Sequence, residues 1–248
     1  LNPNKLIIVD NSEHNLYLIN QELSSYKSNN KIISKLGNVA SKLFVKSLFE
    51  EIKIDILFHA AAYKHVPLVE NNPIEAVFNN VFSTLYLCEE AFKFKIMKFI
   101  FISSDKAVRP TNLMGATKRI GELIIQSFHQ RYQINSNINN KTSTNFSMVR
   151  FGNVMGSSGS VVPLFEKQIS EGGPITITHK KIIRYFMTIK EAAQLVLHVA
   201  GISKGGEVFL LDMGKPVSIK YLAEQMIKLS GLTLKDDNNP NGDIEIIY

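Results

Sequence analysis

One cysteine, Cys88, stands among the 248 residues, so no disulfide can form within the chain. That fits a reducing compartment. Cys88 shares a helical apolar pattern with Val81, Leu85 and Phe92, which marks a packed thiol rather than a nucleophile. No apolar run is long enough to span a bilayer, and no secretory leader pattern opens at Leu1. The reading is a cytoplasmic location, at most at the inner face of a membrane through a segment outside these residues. Internal repeats are absent, and no metal site is read from the sequence. The net charge is +6 and the pI about 9.2. The lysines are scattered, however, with no basic stripe interleaved with aromatics, so nucleic acid is not the expected partner. An anionic small substrate in a lysine-rich chain accounts for the charge. The chain also lacks a G-x-G-x-x-G turn, the usual cradle for a dinucleotide pyrophosphate.

What is present is an ordinary globular composition, 45% apolar, with regular alternation. Strands are expected at Lys5–Asp10, Lys31–Leu36, Ile54–His59, Met97–Ser103 and Asn145–Arg150. Helical patterns lie between them at Asn11–Ser25, Val39–Glu51, Pro73–Phe94 and Asn112–Gln133. This order implies an α/β fold with a doubly wound parallel sheet. Residues 134–144, rich in Asn and Ser, read as a surface loop or insertion. Beyond Gly152 short strands (Ile175–Thr178, Glu207–Leu211) mix with helices (Ile189–Ala200, Ile219–Leu229). The expected division is a dinucleotide-binding domain over 1–152 and mainly a smaller substrate-binding lobe over 153–248.

The most informative stretch is Ser103-Ser104-Asp105-Lys106-Ala107-Val108-Arg109-Pro110-Thr111-Asn112-Leu113-Met114-Gly115-Ala116-Thr117-Lys118. The apolar run Phe99-Ile100-Phe101-Ile102 precedes it and reads as a buried parallel strand. An acid, an amine and a hydroxyl thus stand where a strand ends and a helix begins, the edge at which open α/β sheets bind ligands. The stretch resembles the active-site segment of extended short-chain dehydrogenase/reductases that act on nucleotide sugars. In particular it is similar to the UDP-N-acetylglucosamine 4,6-dehydratases of bacterial capsule and glycan biosynthesis. Three more blocks resemble that group in order: His59-Ala60-Ala61-Ala62-Tyr63-Lys64-His65-Val66-Pro67-Leu68-Val69-Glu70, then Arg150-Phe151-Gly152-Asn153-Val154-Met155-Gly156-Ser157-Ser158-Gly159-Ser160-Val161, then Arg184-Tyr185-Phe186-Met187-Thr188. The resemblance spans nearly the whole chain. It implies a Rossmann-like fold, bound NAD, a UDP-sugar substrate and a homo-oligomer. It also implies a strand, a glycine-rich loop and a helix ahead of Lys5, and a further substrate loop after Asp243–Tyr248, so truncation at both ends is expected.

Asp10 ends the first strand, ahead of Asn11 and Ser12. A carboxylate there can accept both ribose hydroxyls and repels a 2′-phosphate, which favours NAD over NADP. Asp, Asn and Ser also cap helices, and the two roles can coexist. By resemblance, Asn38 and Val39 stand where the family carries Asp-Val against adenine. Ala60, Ala61 and Ala62 would let a dinucleotide lie against the backbone. Asn80 opens a stretch similar to the family's N-V-x-G-T on the nicotinamide side, and Phe151 completes the cofactor set.

The superfamily's usual Y-x-x-x-K pair sits on one helical face; here Lys118 is present and Met114 replaces the tyrosine. Met cannot titrate. It is either a core residue or, by resemblance, the mark of the dehydratase branch that carries Met and retains configuration at carbon 5. The resemblance implies three steps. Hydride passes from carbon 4 to NAD, water leaves across carbons 5 and 6, and hydride returns to carbon 6. Lys106 would be the base at carbon 5, and Asp105 the acid at the 6-hydroxyl. Ser104 would bind the 4-oxygen. Lys106 must be neutral for this, so a desolvated site with a nearby cation such as Lys118 is expected. The plain alternative for Asp105 and Lys106 is a surface ion pair.

On the substrate side, the resemblance assigns Lys64 and His65 to the sugar and diphosphate. Asn153 would contact the diphosphate, and Ser157 and Val161 belong to a Gly-Ser loop whose N–H groups suit an anion. Thr176 and Thr178 would contact uridine. Arg184 would grip the diphosphate through paired hydrogen bonds. A 4-epimerase of the same fold, or a non-catalytic nucleotide-sugar or dinucleotide binder, are the competing readings. An epimerase relies on the tyrosine absent here.

Overall fold

The computed structural model describes residues 3–26, 31–139, 144–157 and 159–248. Two compact units emerge, Leu1–Arg150 with Leu197–Phe209, and Phe151–Val196 with Leu210–Tyr248.

In the first unit β1 (Lys5–Asp10) and β2 (Lys31–Leu36) pair in parallel, with Asp10 opposite Leu36. Helix α1 (Glu13–Ser24) begins where the Ser12 hydroxyl accepts from the Asn15 N–H at 3.3 Å. Ser41 caps α2 (Lys42–Glu51) in the same way. Next come β3 (Ile56–His59), α3 (Val66–Asn71), α4 (Pro73–Val77), a π-helical segment (Phe78–Phe82) and α5 (Ser83–Phe94). Then follow β4 (Lys98–Ile102), a 3₁₀ turn (Asp105–Ala107), α6 (Leu113–Asn139) and β5 (Asn145–Arg150). β3, β4 and β5 pair in parallel, His59 opposite Phe101 and Ile102 opposite Val149. Their carboxyl ends therefore meet at one edge. α5 and α6 cover one face of the sheet, where Phe99, Phe101, Phe146, Ile125, Leu87 and Cys88 form one buried cluster, and Ile100 is buried on the other face. Each buried phenylalanine contributes roughly 2–3 kcal/mol of hydrophobic stabilisation.

The second unit is built from short pieces. β6 (Asn153–Val154) pairs in parallel with β9 (Phe186–Met187). Between them lie α7 (Val161–Ser170), β7 (Ile175–Thr176) and β8 (Ile183–Arg184). α8 (Ile189–Ile202) leads back into the first unit, where β10 (Val208–Leu210) joins β5. β11 (Val217–Ser218) pairs antiparallel with β8, and α9 (Ile219–Leu229) precedes β12 (Leu234–Lys235) and β13 (Ile244–Ile247). β12, β13 and β7 form a sheet over a core of Phe165, Ile169, Ala223, Ile227 and Ile244.

The parallel α/β architecture is the expected one. Hydrogen bonding divides the first unit's strands into two sheets, β1-β2 and β10-β5-β4-β3. Three details differ from the sequence reading. α6 runs on to Asn139, so residues 134–139 are helix rather than loop. No Gly or Pro interrupts that stretch, and Asn and Ser weaken a growing helix by only about half a kcal/mol each. Residues 140–143, the rest of the expected loop, lie outside the described residues. Residues 197–209 return to the first unit, a crossing that a division at 152/153 does not contain. The helix expected over Pro73–Phe94 is helical throughout but carries a π turn. Among the described residues, no helix is long and apolar enough to cross a membrane.

Candidate active site

Ser104, Asp105 and Lys106 form one hydrogen-bonded turn beyond the end of β4. The Ser104 hydroxyl donates to Asp105 Oδ1 at 2.9 Å and accepts from the Lys106 N–H at 3.2 Å. Lys106 Nζ lies 3.1 Å from the same carboxylate oxygen. The turn rests on the start of α6. Gly115 approaches so closely that a Cβ there would stand 2.2 Å from the Lys106 carbonyl oxygen. That first turn is itself pinned. The Asn112 side chain accepts from the Gly115 N–H at 2.9 Å, and Glu70 of α3 accepts from the Leu113 N–H at 2.6 Å. Both are orphan donors of a helix start.

Met114 points away into a small apolar cluster with Val69 and Ala76. Its role here is packing. Lys118, one turn on, is buried and donates from Nζ to the Ile102 carbonyl at 2.9 Å, with the Phe101 ring 4.9 Å away. Burial pushes its ammonium down to about 8, against an opposing pull from Glu122. The desolvated lysine is therefore Lys118. The Lys106 side chain is 33% exposed and paired with Asp105, so the dry, cation-flanked setting expected for Lys106 is not what surrounds it. Its place at the tip of a turn, beyond the sheet edge, is the reason. His59, at the end of β3, is fully buried. Desolvation first, and the Lys118 charge second, push its imidazole down to about 3. It stays neutral and shares a hydrogen bond with Thr84 Oγ1 at 3.0 Å.

The cofactor candidates of the first unit lie at and beyond the carboxyl ends of β1, β2 and β3, with Asn80 in the π turn. Asp10 Oδ1 accepts from the Ser12 N–H at 2.7 Å, and Asn11 beside it is exposed. The other Asp10 oxygen is unbonded among the described residues, which leaves it for a ribose hydroxyl. Asn38 is exposed and turns its side-chain oxygen to the Ala40 N–H at 2.8 Å, while Val39 packs against the core. Ala60 and Ala61 are exposed and Ala62 half-buried beyond β3. Asn80, in the π turn, is buried and clasps the Tyr63 backbone. It accepts from the Tyr63 N–H at 2.7 Å and donates to its carbonyl at 3.0 Å, and donates to Thr117 Oγ1 at 3.0 Å. It thereby sets the Ala60–His65 loop, with Lys64 exposed and His65 half-buried. An acid with an open oxygen, a small-residue floor and a buried lysine together fit a nicotinamide dinucleotide.

The second unit carries the remaining candidates. Phe151 is half-buried. The Asn153 side-chain oxygen and the Ser160 hydroxyl are buried with no hydrogen-bond partner, a pairing of unsatisfied groups that suits a polar ligand. The Ser157 hydroxyl donates to the Val154 carbonyl at 2.8 Å, and Val161 opens α7. Ser158 lies outside the described residues. Thr176 is tied to Gln168, its hydroxyl accepting at 2.8 Å and its N–H donating at 3.1 Å. Thr178 is exposed beyond β7, and Arg184 is exposed with Nη1 on the Ile183 carbonyl at 3.0 Å.

The sequence reading passed over four residues that hold the site: Gly115, Glu70, Ser103 and Glu122. Gly115 had a signal in the glycine following Met114, and Glu70 closes a quoted block. Ser103 and Glu122 had none, because their partners lie 19 residues apart.

Parallel strands ending in an acid and in a Ser-Asp-Lys turn, with a buried helix lysine beside that turn, define a Rossmann-like protein of the extended short-chain dehydrogenase/reductase type. The chain belongs to the family described as polysaccharide biosynthesis protein, whose profile matches residues 1–247. It is 48% identical over 235 residues to the capsular polysaccharide biosynthesis protein CapD of Staphylococcus aureus, covering 94% of this chain and 38% of that one. It is 34% identical over 209 residues to an inverting UDP-N-acetylglucosamine 4,6-dehydratase of Campylobacter jejuni (84% and 59%). A UDP-glucose 4-epimerase of Rickettsia canadensis is 35% identical over 184 residues (74% and 51%). The chain thus spans between about two fifths and three fifths of these relatives. Among solved structures, Pen from Bacillus thuringiensis superposes with a TM-score of 0.84 at 38% identity (99% and 71%). DesIV, a dTDP-glucose 4,6-dehydratase of Streptomyces venezuelae with NAD bound, shares the fold at TM-score 0.79 and 15% identity (98% and 75%).

Proposed function

We propose that this chain is the catalytic part of an NAD-dependent nucleotide-sugar 4,6-dehydratase, acting on a UDP-N-acetylhexosamine such as UDP-N-acetylglucosamine. The observation that carries the reading is the Ser104–Asp105–Lys106 turn, an acid and an amine 3.1 Å apart at the sheet edge. A dehydration needs both on one face of a sugar, one to take the carbon-5 proton and one to protonate the leaving 6-hydroxyl. Bound NAD would supply hydride transfer at carbons 4 and 6. Lys106 is assigned as the base at carbon 5 and Asp105 as the acid at the 6-hydroxyl. Ser104 donates toward the 4-oxygen as negative charge develops there. Lys118 presents a cation beneath the nicotinamide ribose, and Asp10 holds the adenosine ribose and disfavours a 2′-phosphate. Asn153, Ser157, Ser160 and Arg184, with Lys64 and His65, are assigned to the sugar and diphosphate. Thr176 and Thr178 are assigned to the uridine side, with Thr176 having to release Gln168, and Val161 to the anion-binding loop. Asn38, Val39, Ala60, Ala61, Ala62, Asn80 and Phe151 complete the cofactor surface. A homo-oligomer at the cytoplasmic side is part of the same reading.

The likeness to UDP-glucose 4-epimerases keeps a second reaction in view. Met114, buried and unable to titrate, speaks against it. The deciding assay offers UDP-N-acetylglucosamine and NAD to a chain that carries a glycine-rich dinucleotide turn. Product lighter by one water supports the dehydratase. Inversion at carbon 4 without mass change would replace it with the epimerase, and no turnover would leave a binding protein.

A further inference from the structure

Glu122 is wholly buried in α6, beneath the proposed site. Its Oε1 accepts from Ser103 Oγ at 2.7 Å and Arg150 Nε at 2.7 Å. Its Oε2 accepts from Arg150 Nη2 at 2.6 Å and Arg119 Nη1 at 2.9 Å. The forked Arg150 contact is the strong, directional kind. Lys118, one turn earlier on the helix, is fastened to Ile102 at 2.9 Å. Consecutive residues at the end of β4, Ile102 and Ser103, are therefore both stapled to α6. The next three residues are Ser104, Asp105 and Lys106.

We propose that Glu122 is a positioning residue for this site: it locks the strand ends that present the Ser104–Asp105–Lys106 turn and sets a carboxylate one helical turn from Lys118. The inference rests on the dehydratase reading only for what Lys118 does there. A buried carboxylate is a costly way to join elements that apolar residues could join. Its charge explains the choice. Lys118 has the neutral His59 of β3 beside it and Glu122 one turn on along its own helix, where Glu122 pairs with Arg119. Arg150 enters from β5. Among the described residues β4 meets Lys118 with the uncharged Phe101 ring and Ile102 carbonyl, and Asn80 of the π segment bonds the neighbouring Thr117. Glu122 is thus the single negative charge among three cations in this group.

The sign of the effect separates this role from mere packing. Glu122→Gln removes the negative charge and makes the Lys118 proton easier to lose. Arg119→Met removes a positive charge and does the opposite. Loosened packing would expose Lys118 and raise it in both variants. The test is an NMR titration of ¹⁵N-lysine-labelled protein, the Lys118 signal being the one lost in Lys118→Arg. A midpoint near 8 is expected for the unaltered chain, with Glu122→Gln about one pH unit lower. An unchanged or raised midpoint in Glu122→Gln overturns the proposal. Should that variant fail to fold, Arg119→Met decides, because its side chain is 38% exposed. A raised midpoint at unchanged thermal stability supports the proposal; no rise, or a rise only with lost stability, overturns it. The titration needs neither nucleotide nor sugar, so its result stands whatever the turnover assay returns.

Discussion

At Lys106 the ammonium sits 3.1 Å from Asp105 and a third of the side chain meets solvent. At Lys118 the ammonium is buried over an aromatic ring. The proposed chemistry uses the first lysine to move a proton and the second as a fixed charge; burial beneath the turn suits the second, whereas the first is paired with Asp105 rather than desolvated. Replacing Lys106 with Met keeps most of the side-chain volume and removes the base. Turnover should fall about 10²- to 10⁴-fold while UDP binding, followed by calorimetry, stays near its original strength. A fall in binding as large as the fall in turnover would return Lys106 to a substrate-binding role. In the proposed reading Asp10 holds the adenosine ribose and disfavours a 2′-phosphate. Asp10→Asn should narrow the preference for NAD over NADP in equilibrium binding, since the repulsion of a 2′-phosphate is lost.

At the level of elements, the start of α6 is the frame on which the site hangs. Gly115 leaves no room for a methyl group against the Lys106 carbonyl, 2.2 Å from where the Cβ would stand. Backbone cannot rotate aside as a side chain can. Gly115→Ala is therefore expected to displace the Asp105–Lys106 turn, with turnover lost and stability lowered by about 1–3 kcal/mol. Wild-type turnover in that variant would mean the turn's position does not matter. The π turn has a matching task. It brings the Asn80 amide onto both backbone groups of Tyr63, a contact that a regular α-helix would aim elsewhere. Asn80→Ala strands those buried groups and should cost about 2 kcal/mol in urea denaturation.

For the whole molecule, His59 links folding to pH. Its imidazole is held near 3 in the folded state, against an ordinary value of 6.5. The unfolded chain thus binds the extra proton between those values. The stabilisation is complete above pH 6.5 and shrinks as the pH falls toward 3. Moving from pH 7 to 5 should cost about 2 kcal/mol from this residue, and His59→Gln should flatten that part of the profile. Equal slopes in both proteins would show that the burial is not maintained in solution. Cys88, buried and with its thiol pushed up by desolvation, is an internal reporter of the same opening. A thiol reagent should find nothing to react with until denaturant unfolds the first unit.

The alternation of apolar runs with amphipathic stretches determined, without any coordinates, the order of strands and helices in the first unit. It placed Asp10, His59, Ser104–Lys106 and Arg150 at the carboxyl ends of β1, β3, β4 and β5, because strand periodicity and parallel pairing are local properties written in consecutive residues. The Met114-x-x-x-Lys118 spacing likewise put both residues on one face of α6. Only the tertiary structure decided the rest. Which lysine is dry depends on what packs over it, and Lys118 lies beneath β4's end while Lys106 rides on a turn. The Glu122 hub joins Ser103 and Arg150 across 19 and 28 residues. No window of sequence carries those contacts, because each partner is an unremarkable polar residue until three elements bring them within hydrogen-bonding reach. The return of residues 197–209 to the first unit has the same origin. β10 is a three-residue strand, and its assignment comes from the neighbour it pairs with rather than from any pattern of its own.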